Sequence, residues 1–430
     1  MKTYKINNYI TKYCINYPID TQSTILDSST EINTDFKYLD IIVDDTITLN
    51  LKLETTDKIY GLGQNLRGIN KRGFQYHSFC TDDPCHTPDK TSLYGAHNFI
   101  IIDNKKSFGI FIDYPSLITY DLGYTTSDEL IININGNNAN IFIIEGQDKT
   151  TIVSNFLQLI GKPYLPPKWS FGYIQSRWSY PNISSIENLV SIFKQEDLPL
   201  EGVCLDIDYM DDYKDFTIDN VNFFNFKDFI QQMNEENIKI IPIIDAGIKI
   251  EKDYEIYEEG LKNNYYITNK DNSPFVGAVW PGKVCFPDFL NPQAANWFGK
   301  KYQKLIDLGC EGFWNDMNEP AIFYSEKNIN EAFDTIQRLQ KSTLNVDNFF
   351  KLKDTILSLS NSLDDYKSMY HHTIQGVINH YDIHNMYGYM MSKSASDGFK
   401  TINPDKRYLI FTRASMIGAH RYAGIWTGDN

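Results

Sequence analysis

Apolar positions in the first 160 residues come in short runs: "TITLNLKL", "HNFIIIDN", "FGIFIDY" and "ANIFIIEG". They are rich in Ile, Phe and Thr, and the turn-forming stretches "DNKK", "NGNN" and "GQDK" separate them. Such runs, bounded by Asn, Asp and Gly, predict β-strands. The economical expectation for residues 1–160 is an N-terminal β-sandwich domain. "GKPYLPPKW" (Gly161–Trp169) then interrupts the rhythm. Its closely spaced prolines disfavour both helix and central strand, which places the domain boundary here.

From residue 161 to 430 strands alternate with helices. "FGYIQSRW" reads as a strand. Ile186, Leu189, Val190 and Phe193 recur at i, i+3, i+4, i+7, one face of a helix. "EGVCLDIDYM" is a strand, and Phe226, Phe229, Ile230 and Met233 repeat the helical stripe. "IKIIPIIDAG" is a strand whose Pro242 argues against a central position. A helix near Trp297–Leu305 precedes the strand in "GCEGFWNDMNEP"; "RYLIFTRAS" and "GIWTGDN" are the last strands. Residues 322–400 read as a mixed helical insertion on a loop. Near-continuous apolar strands between amphipathic helices imply a parallel sheet, either a barrel or a doubly wound sheet. The strand ends favour the barrel. Arg177, Asp206 and Asp208, Asp245, Asp316, Arg413 and Asp429 all stand at predicted C-terminal ends, which a barrel gathers around one mouth. The expectation is therefore α/β plus all-β: a sandwich followed by a (β/α)8 TIM-type barrel. That barrel is incomplete, with about six strands, because the sequence stops at Asn430.

Composition narrows the partners. The formal net charge of −15 repels nucleic acid and anionic lipid, so neither is expected and a neutral substrate fits more easily. No apolar run approaches the roughly 18 residues of a membrane span. "MKTYKINNYITKYCINYPID" lacks a signal-peptide core. With six scattered cysteines, this points to a cytoplasmic protein with reduced thiols. Cys80, Cys85 and His86 fit no common zinc spacing. The 29 Tyr, 26 Phe and 6 Trp suit either sugar stacking or core filling.

The candidate chemistry lies in paired carboxylates. Asp316 and Asp429, on different strand ends, match the two-carboxylate equipment of glycoside hydrolysis. Asp206 and Asp208, two apart on a predicted strand, are expected to share a face and to need a cation, a proton or hydroxyl donors between them. Arg413 and substrate hydroxyls are both candidates. Glu319 is expected to bond its loop rather than act as acid/base. Trp178, Trp280, Trp314 and Trp426, near strand ends or loops, are candidates for a sugar-stacking wall.

At these residues the sequence resembles glycoside hydrolase family 31, the α-glucosidase family. "WNDMNEP" is similar to its nucleophile motif and "RYAGIWTGDN" to its acid/base motif. The resemblance implies Asp316 as nucleophile and Asp429 as proton donor. "LDIDYM" implies sugar contacts from Asp206 and Ile207, "IIDAG" from Asp245, and "AVWPG" from Trp280. Trp314, Met317 and Trp426 come from the catalytic motifs, and "FTRAS" supplies Arg413. "YGLGQN" and "SLYGAHNF" resemble the family's N-terminal sandwich, and "CTDDPCHTPDK" a loop whose Asp82 contacts the second sugar. Trp178 in "QSRWSY" is expected at the rim of the acceptor subsite, where its bulk would favour α-1,6 over α-1,4 linkages.

The implied activity is a retaining α-glucosidase acting on terminal glucose of short oligosaccharides, without metal or organic cofactor. α-Xylosidase, transglucosidase or lyase activity, or a non-catalytic carbohydrate-binding remnant, remain alternatives, and homo-oligomerisation is open. The family's further strands and C-terminal domains are absent from this sequence, so a fragment or a second polypeptide is expected.

Overall fold

In the computed structural model, which describes residues 1–26, 30–343 and 345–427, the chain forms two units. The first contains Met1–Tyr164, Asp382–Tyr389 and the segment from Arg413 onward. The second contains Leu165–Tyr381 and Met390–Thr412.

The first unit holds the expected sandwich. A seven-stranded sheet orders Thr30–Ile32, Lys2–Lys5, Ile10–Ile15, Ala139–Glu145, Phe108–Asp113, Phe99–Asp103 and Lys58–Gly61. A five-stranded sheet orders Asp40–Val43, Ile47–Lys52, Glu129–Ile134, Ile118–Leu122 and Gln75–Ser78. Ile110, Ile112, Ile141 and Ile143 of the first sheet share a core with Leu49, Tyr120, Ile132 and Ile134 of the second. Side chains alternate along a strand, so Phe111, Phe142 and Ile144 turn to the opposite face. There they meet Ile152, Phe156 and Leu159 of a helix, Lys149–Ile160. Burial on both faces explains why "FGIFIDY" and "ANIFIIEG" read as unbroken apolar runs.

That helix departs from the all-β reading of residues 1–160, although its signals are local. Asp148 accepts a hydrogen bond from the Thr151 backbone N–H at 2.7 Å, and Ile152, Phe156 and Leu159 stand at i, i+4, i+7. Gly109 lets the helix approach: a Cβ there would lie 2.9 Å from Ile152 Cγ2.

The second unit is built on parallel strands adjacent in chain order: β1 (Ile174–Gln175), β2 (Gly202–Leu205), β3 (Lys239–Asp245), β4 (Gly312–Asp316) and β5 (Leu409–Thr412). Helices α1 (Ile183–Gln195), α2 (Phe226–Glu235), α3 (Pro292–Lys301) and α4 (Met386–Ile402) connect them. α2 buries Phe226, Phe229, Ile230 and Met233, the predicted stripe. "FGYIQSRW" follows a 3-10 turn, Lys168–Phe171, and holds only two residues of strand, Ile174–Gln175. "GIWTGDN" forms a strand over Gly424–Ile425.

Pro242 is central after all. β3 lies between β2 and β4, with Pro242 opposite Leu205, the last residue of β2. Pairing with β4 begins one residue later, at Ile243, so the missing N–H falls where the ladder changes partner.

Within 322–400 the described residues form helices Glu326–Gln340, Val346–Leu357 and Leu363–Ser368, then a hairpin of Tyr370–Thr373 and Gly376–Asn379. α4 leads into β5 and is the crossover helix of that βα unit.

Aromatic rings weld the helices to β4. Tyr302 lies 5.9 Å from Phe298, 5.1 Å from Phe313 and 5.3 Å from Phe399, centroid to centroid. α3 and α4 also meet at two glycines. A Cβ on Gly398 would stand 2.1 Å from the Gly299 carbonyl oxygen, and one on Gly299 would stand 2.3 Å from that of Ser394. Backbone cannot yield as a flexible side chain can, so Gly398→Ala is expected to destabilise the protein by about 2 kcal/mol through overpacking. Gly68→Ala, with nothing within 4 Å of its Cβ, is the control; urea unfolding of both variants measures the difference.

Candidate active site

β4 carries the central residue. Its five positions are all buried. Alternation separates Trp314 and Asp316 on one face from Phe313 and Asn315 on the other. Phe313 belongs to the aromatic cluster, and Asn315 Oδ1 accepts from the Tyr302 hydroxyl at 2.6 Å. Trp314 and Asp316 therefore face away from the covering helices. Asp316 is 5% exposed, the buried carboxylate expected at the end of this strand. Its register partner on β3 is Asp245, also buried. Adjacent strands run about 4.8 Å apart, so two carboxylates stand side by side.

The loop after β4 is pinned. Met317 takes a left-handed φ of 53°, turning the chain sharply after Asp316. Asn318 Nδ2 donates to Thr412 Oγ1 of β5 at 3.0 Å, and the Tyr366 hydroxyl donates to the Pro320 carbonyl at 3.0 Å. Glu319 is fully buried between these anchors.

β2 ends earlier than its sequence predicted. The strand stops at Leu205; Asp206 caps a 3-10 turn, Ile207–Tyr209, and accepts from the Ile207 N–H at 2.8 Å. Asp206 and Asp208 therefore do not share a strand face: the helical turn rotates them apart, and Asp208 accepts from the Ser179 hydroxyl. Ile207 is buried behind the turn, and the Tyr209 hydroxyl donates to the Ile243 carbonyl at 2.8 Å.

Behind Asp245 lies a residue that sequence reasoning missed. Asp215 Oδ1 accepts from the Asp245 backbone N–H at 2.8 Å, and its carbonyl accepts from the Tyr254 hydroxyl at 2.8 Å. Asp215 Oδ2 has no hydrogen-bond partner among the described residues. Burial pushes its pKa well above the ordinary carboxylate value, opposed only by the Asp245 N–H. Asp215 sits in an irregular loop, "YKDFTID", where no periodicity marks an inward side chain. Lys214, bonded to Glu251 at 2.7 Å and Asp211 at 3.0 Å, ties that loop to the segment after β3.

The tryptophans divide. Trp178 and Trp280 have ring centroids 5.5 Å apart, and Trp280 meets Phe323 edge-on at 5.0 Å. Trp178 is 69% exposed and Trp280 39%, whereas Trp314 is buried in β4. Trp426 belongs to the first unit and is half-buried.

In the first unit, Arg413 and Asp82 form an ion pair, Nη2 to Oδ1 at 3.4 Å, with both side chains largely buried. The guanidinium lies over the Tyr94 ring, 4.7 Å from its centroid. Arg413 thus finds an acidic partner in Asp82, on the loop expected to reach the second sugar. Asp429 lies outside the described residues.

Asp215 yields a test with a definite sign. Its folded-state pKa is raised, so folding holds the proton more tightly than the unfolded chain does. Its contribution is favourable below the unfolded carboxylate pKa and is lost as pH rises towards the folded one. Asp215→Asn keeps the acceptor for the Asp245 N–H and cannot ionise. The expected result is a variant several degrees more heat-stable than the parent at pH 7, with the gap closing near pH 4; thermal unfolding across that range measures it.

Comparison with known proteins agrees with this geometry. Residues 163–430 match the model of the glycosyl hydrolases family 31 TIM-barrel domain, and residues 26–121 that of the family's N-terminal galactose mutarotase-like domain. Alpha-glucosidase 2 of Bacillus thermoamyloliquefaciens is 33% identical over 88% of this chain and 44% of its own length. The alpha-glucosidase of Saccharolobus solfataricus is 27% identical over 100% and 60%. The chain thus spans about half the length of these relatives. A Flavobacterium johnsoniae dextranase complexed with isomaltotriose superposes with a TM-score of 0.74 at 25% identity, covering 90% of this chain and 43% of that one. The same dextranase complexed with glucose gives 0.79 at 22% identity, over 99% and 53%. With its barrel motifs, its sandwich and more than half its length matched, the chain belongs to glycosyl hydrolase family 31.

Proposed function

We propose that the protein is a retaining α-glucosidase that removes terminal non-reducing α-linked glucose from short oligosaccharides and prefers α-1,6 linkages. The observation that carries this reading is Asp316, buried at the end of β4, level with Asp245 and on the same face as Trp314. A carboxylate held by a buried strand stays aimed at one point, as a nucleophile requires. In this mechanism Asp316 attacks the anomeric carbon while Asp429 protonates the departing oxygen. A β-glucosyl-enzyme forms. Asp429 then takes a proton from water, the water attacks the same carbon, and α-glucose leaves with Asp316 freed. The two carboxylates suffice for these steps.

Asp206 and Asp245 are proposed to bond sugar hydroxyls, and Trp280, Trp314, Ile207 and Met317 to line the glucose subsite. Asp82, Arg413 and Trp426 complete the proposed binding set. The preference for α-1,6 linkages rests on Trp178, whose exposed ring beside Trp280 offers an acceptor sugar a face. The similar dextranase holds isomaltotriose, which supports this preference. A cytoplasmic location is part of the proposal and is supported by the six free cysteines.

Proton NMR of the full-length protein with isomaltose, and separately maltose, tests the reading. α-Glucose is expected as the first anomer, faster from isomaltose, and Asp316→Ala is expected to lower kcat by about a thousandfold or more. β-Glucose first would overturn the retaining mechanism, and faster maltose cleavage the linkage preference. Trp178→Ala is expected to remove about 1 kcal/mol of stacking, about fivefold in kcat/KM for isomaltose; an unchanged value would remove Trp178 from the acceptor site.

A further inference from the structure

We propose that His384 and Asn385 are positioning residues: together they clamp the backbone of Cys80 and thereby hold Asp82 against Arg413. Both polar groups of Cys80 are taken by consecutive side chains some three hundred residues away in sequence. The Cys80 N–H donates to Asn385 Oδ1 at 2.9 Å, and His384 Nε2 lies 2.7 Å from the Cys80 carbonyl oxygen. A carbonyl only accepts, so Nε2 carries the proton. The His384 ring stacks on Phe79, with centroids 3.9 Å apart and planes 5° from parallel. Burial pushes its pKa down to about 4, which keeps the ring neutral and the donor fixed at neutral pH.

The clamp is itself anchored. Asn385 Nδ2 donates to the Ser116 carbonyl at 3.2 Å, and the Asn385 N–H to that of Pro115 at 2.9 Å. Cys80, His384 and Asn385 are all at least 98% buried. Water therefore cannot substitute for a lost partner without a large desolvation cost.

Two residues beyond Cys80 stands Asp82. Its partner is fixed from the other side: Arg413 precedes by two residues the strand Ser415–Met416, which pairs with Gly95–Ala96. Ser415 Oγ lies 3.2 Å from His97 Nε2, and Cys80, Ala96 and Ala414 pack into one small core. The ion pair is thus suspended between two backbones, each held by buried polar bonds. Beyond it, residues 82–90 have no regular structure; between it and the clamp stands only Thr81, whose N–H donates to the Leu93 carbonyl at 3.0 Å. The consequence for sugar binding rests on the proposed function; the geometry of the clamp does not.

Hydrogen exchange of the full-length protein, read by mass spectrometry, tests the clamp without reference to activity. Asn385→Ala is expected to speed exchange of the amides of residues 80–83 by about tenfold, while Phe108–Asp113 and Gly312–Asp316 exchange as in the parent. Unchanged exchange at 80–83 would overturn the proposal. If Asn385→Ala fails to fold, His384→Gln and His384→Ala replace it. Gln retains an N–H donor and is expected to protect these amides better than Ala, and equal exchange in the two would overturn the clamp. Activity supplies the link to Asp82. Asn385→Ala is expected to raise KM for isomaltose about tenfold with kcat within about twofold, and to add little in an Asp82→Ala background. An equal rise in both backgrounds would overturn action through Asp82. A parent with no activity on any α-glucoside would refute the proposed function and leave the exchange experiment to decide the clamp.

Discussion

Side-by-side burial of Asp245 and Asp316 is the constraint around which the second unit is organised. Each carboxylate loses hydration on leaving water, and the two repel at the spacing of adjacent strands. Such a pair is tolerable only where backbone and side-chain dipoles are fixed in advance. The strand ends provide that place, because the ladder stops there and further polar groups become available. The strand bodies are almost entirely buried, so the register is set by keeping the polar strand ends in place. With Asp245 opposite Asp316, a slip of one residue would turn Asp316 towards the aromatic cluster and Phe313 out of it.

A second layer keeps the charged residues in place, and it is built alike in both units. Behind Asp245 stands Asp215, which accepts its backbone N–H. Behind Asp82 stand His384 and Asn385, which hold the backbone two residues away. Each supporting side chain bonds to backbone rather than to the buried carboxylate itself. A backbone anchor fixes the direction of the charged side chain without itself bonding to its oxygens. Burial drives these supports towards their neutral forms: Asp215 is pushed up and His384 down. Neutral supports avoid adding a further charge to an already crowded interior.

Period and punctuation made much of this legible in the sequence. The sandwich strands, the α2 stripe and the buried end of β4 follow from apolar alternation and turn residues. The motifs of the candidate site stand out because acids and tryptophans sit where a buried strand should be apolar. Other features are less legible, because their context is not local. The helix Lys149–Ile160 sits in a β-rich neighbourhood that masks its cap at Asp148 and its helical spacing. Apolar residues continue through Ile207 and Tyr209, so nothing in the alternation marks where β2 gives way to a 3-10 turn that separates Asp206 from Asp208. Pro242 reads as a break in a continuous ladder, whereas the strand changes partner beside it. Asp215, His384 and Asn385 escaped because their roles depend on backbone groups distant in sequence, which no local period encodes.

The same division separates chemistry from selectivity. Asp316 and Trp314 belong to a strand whose register the whole sheet enforces. Trp178 and Trp280 stand on connecting segments, 69% and 39% exposed, and make their nearest aromatic contacts with each other and with Phe323. Exposed rings on loops lie outside the packing that sets the sheet, so substitution there leaves the buried carboxylates where they are. A change at β4 has no such independence, because Phe313, Asn315 and the glycine contact of α3 with α4 are all part of one packed body. The fold therefore holds the proposed nucleophile where variation is costly and the aromatics of the proposed acceptor site where variation is cheap.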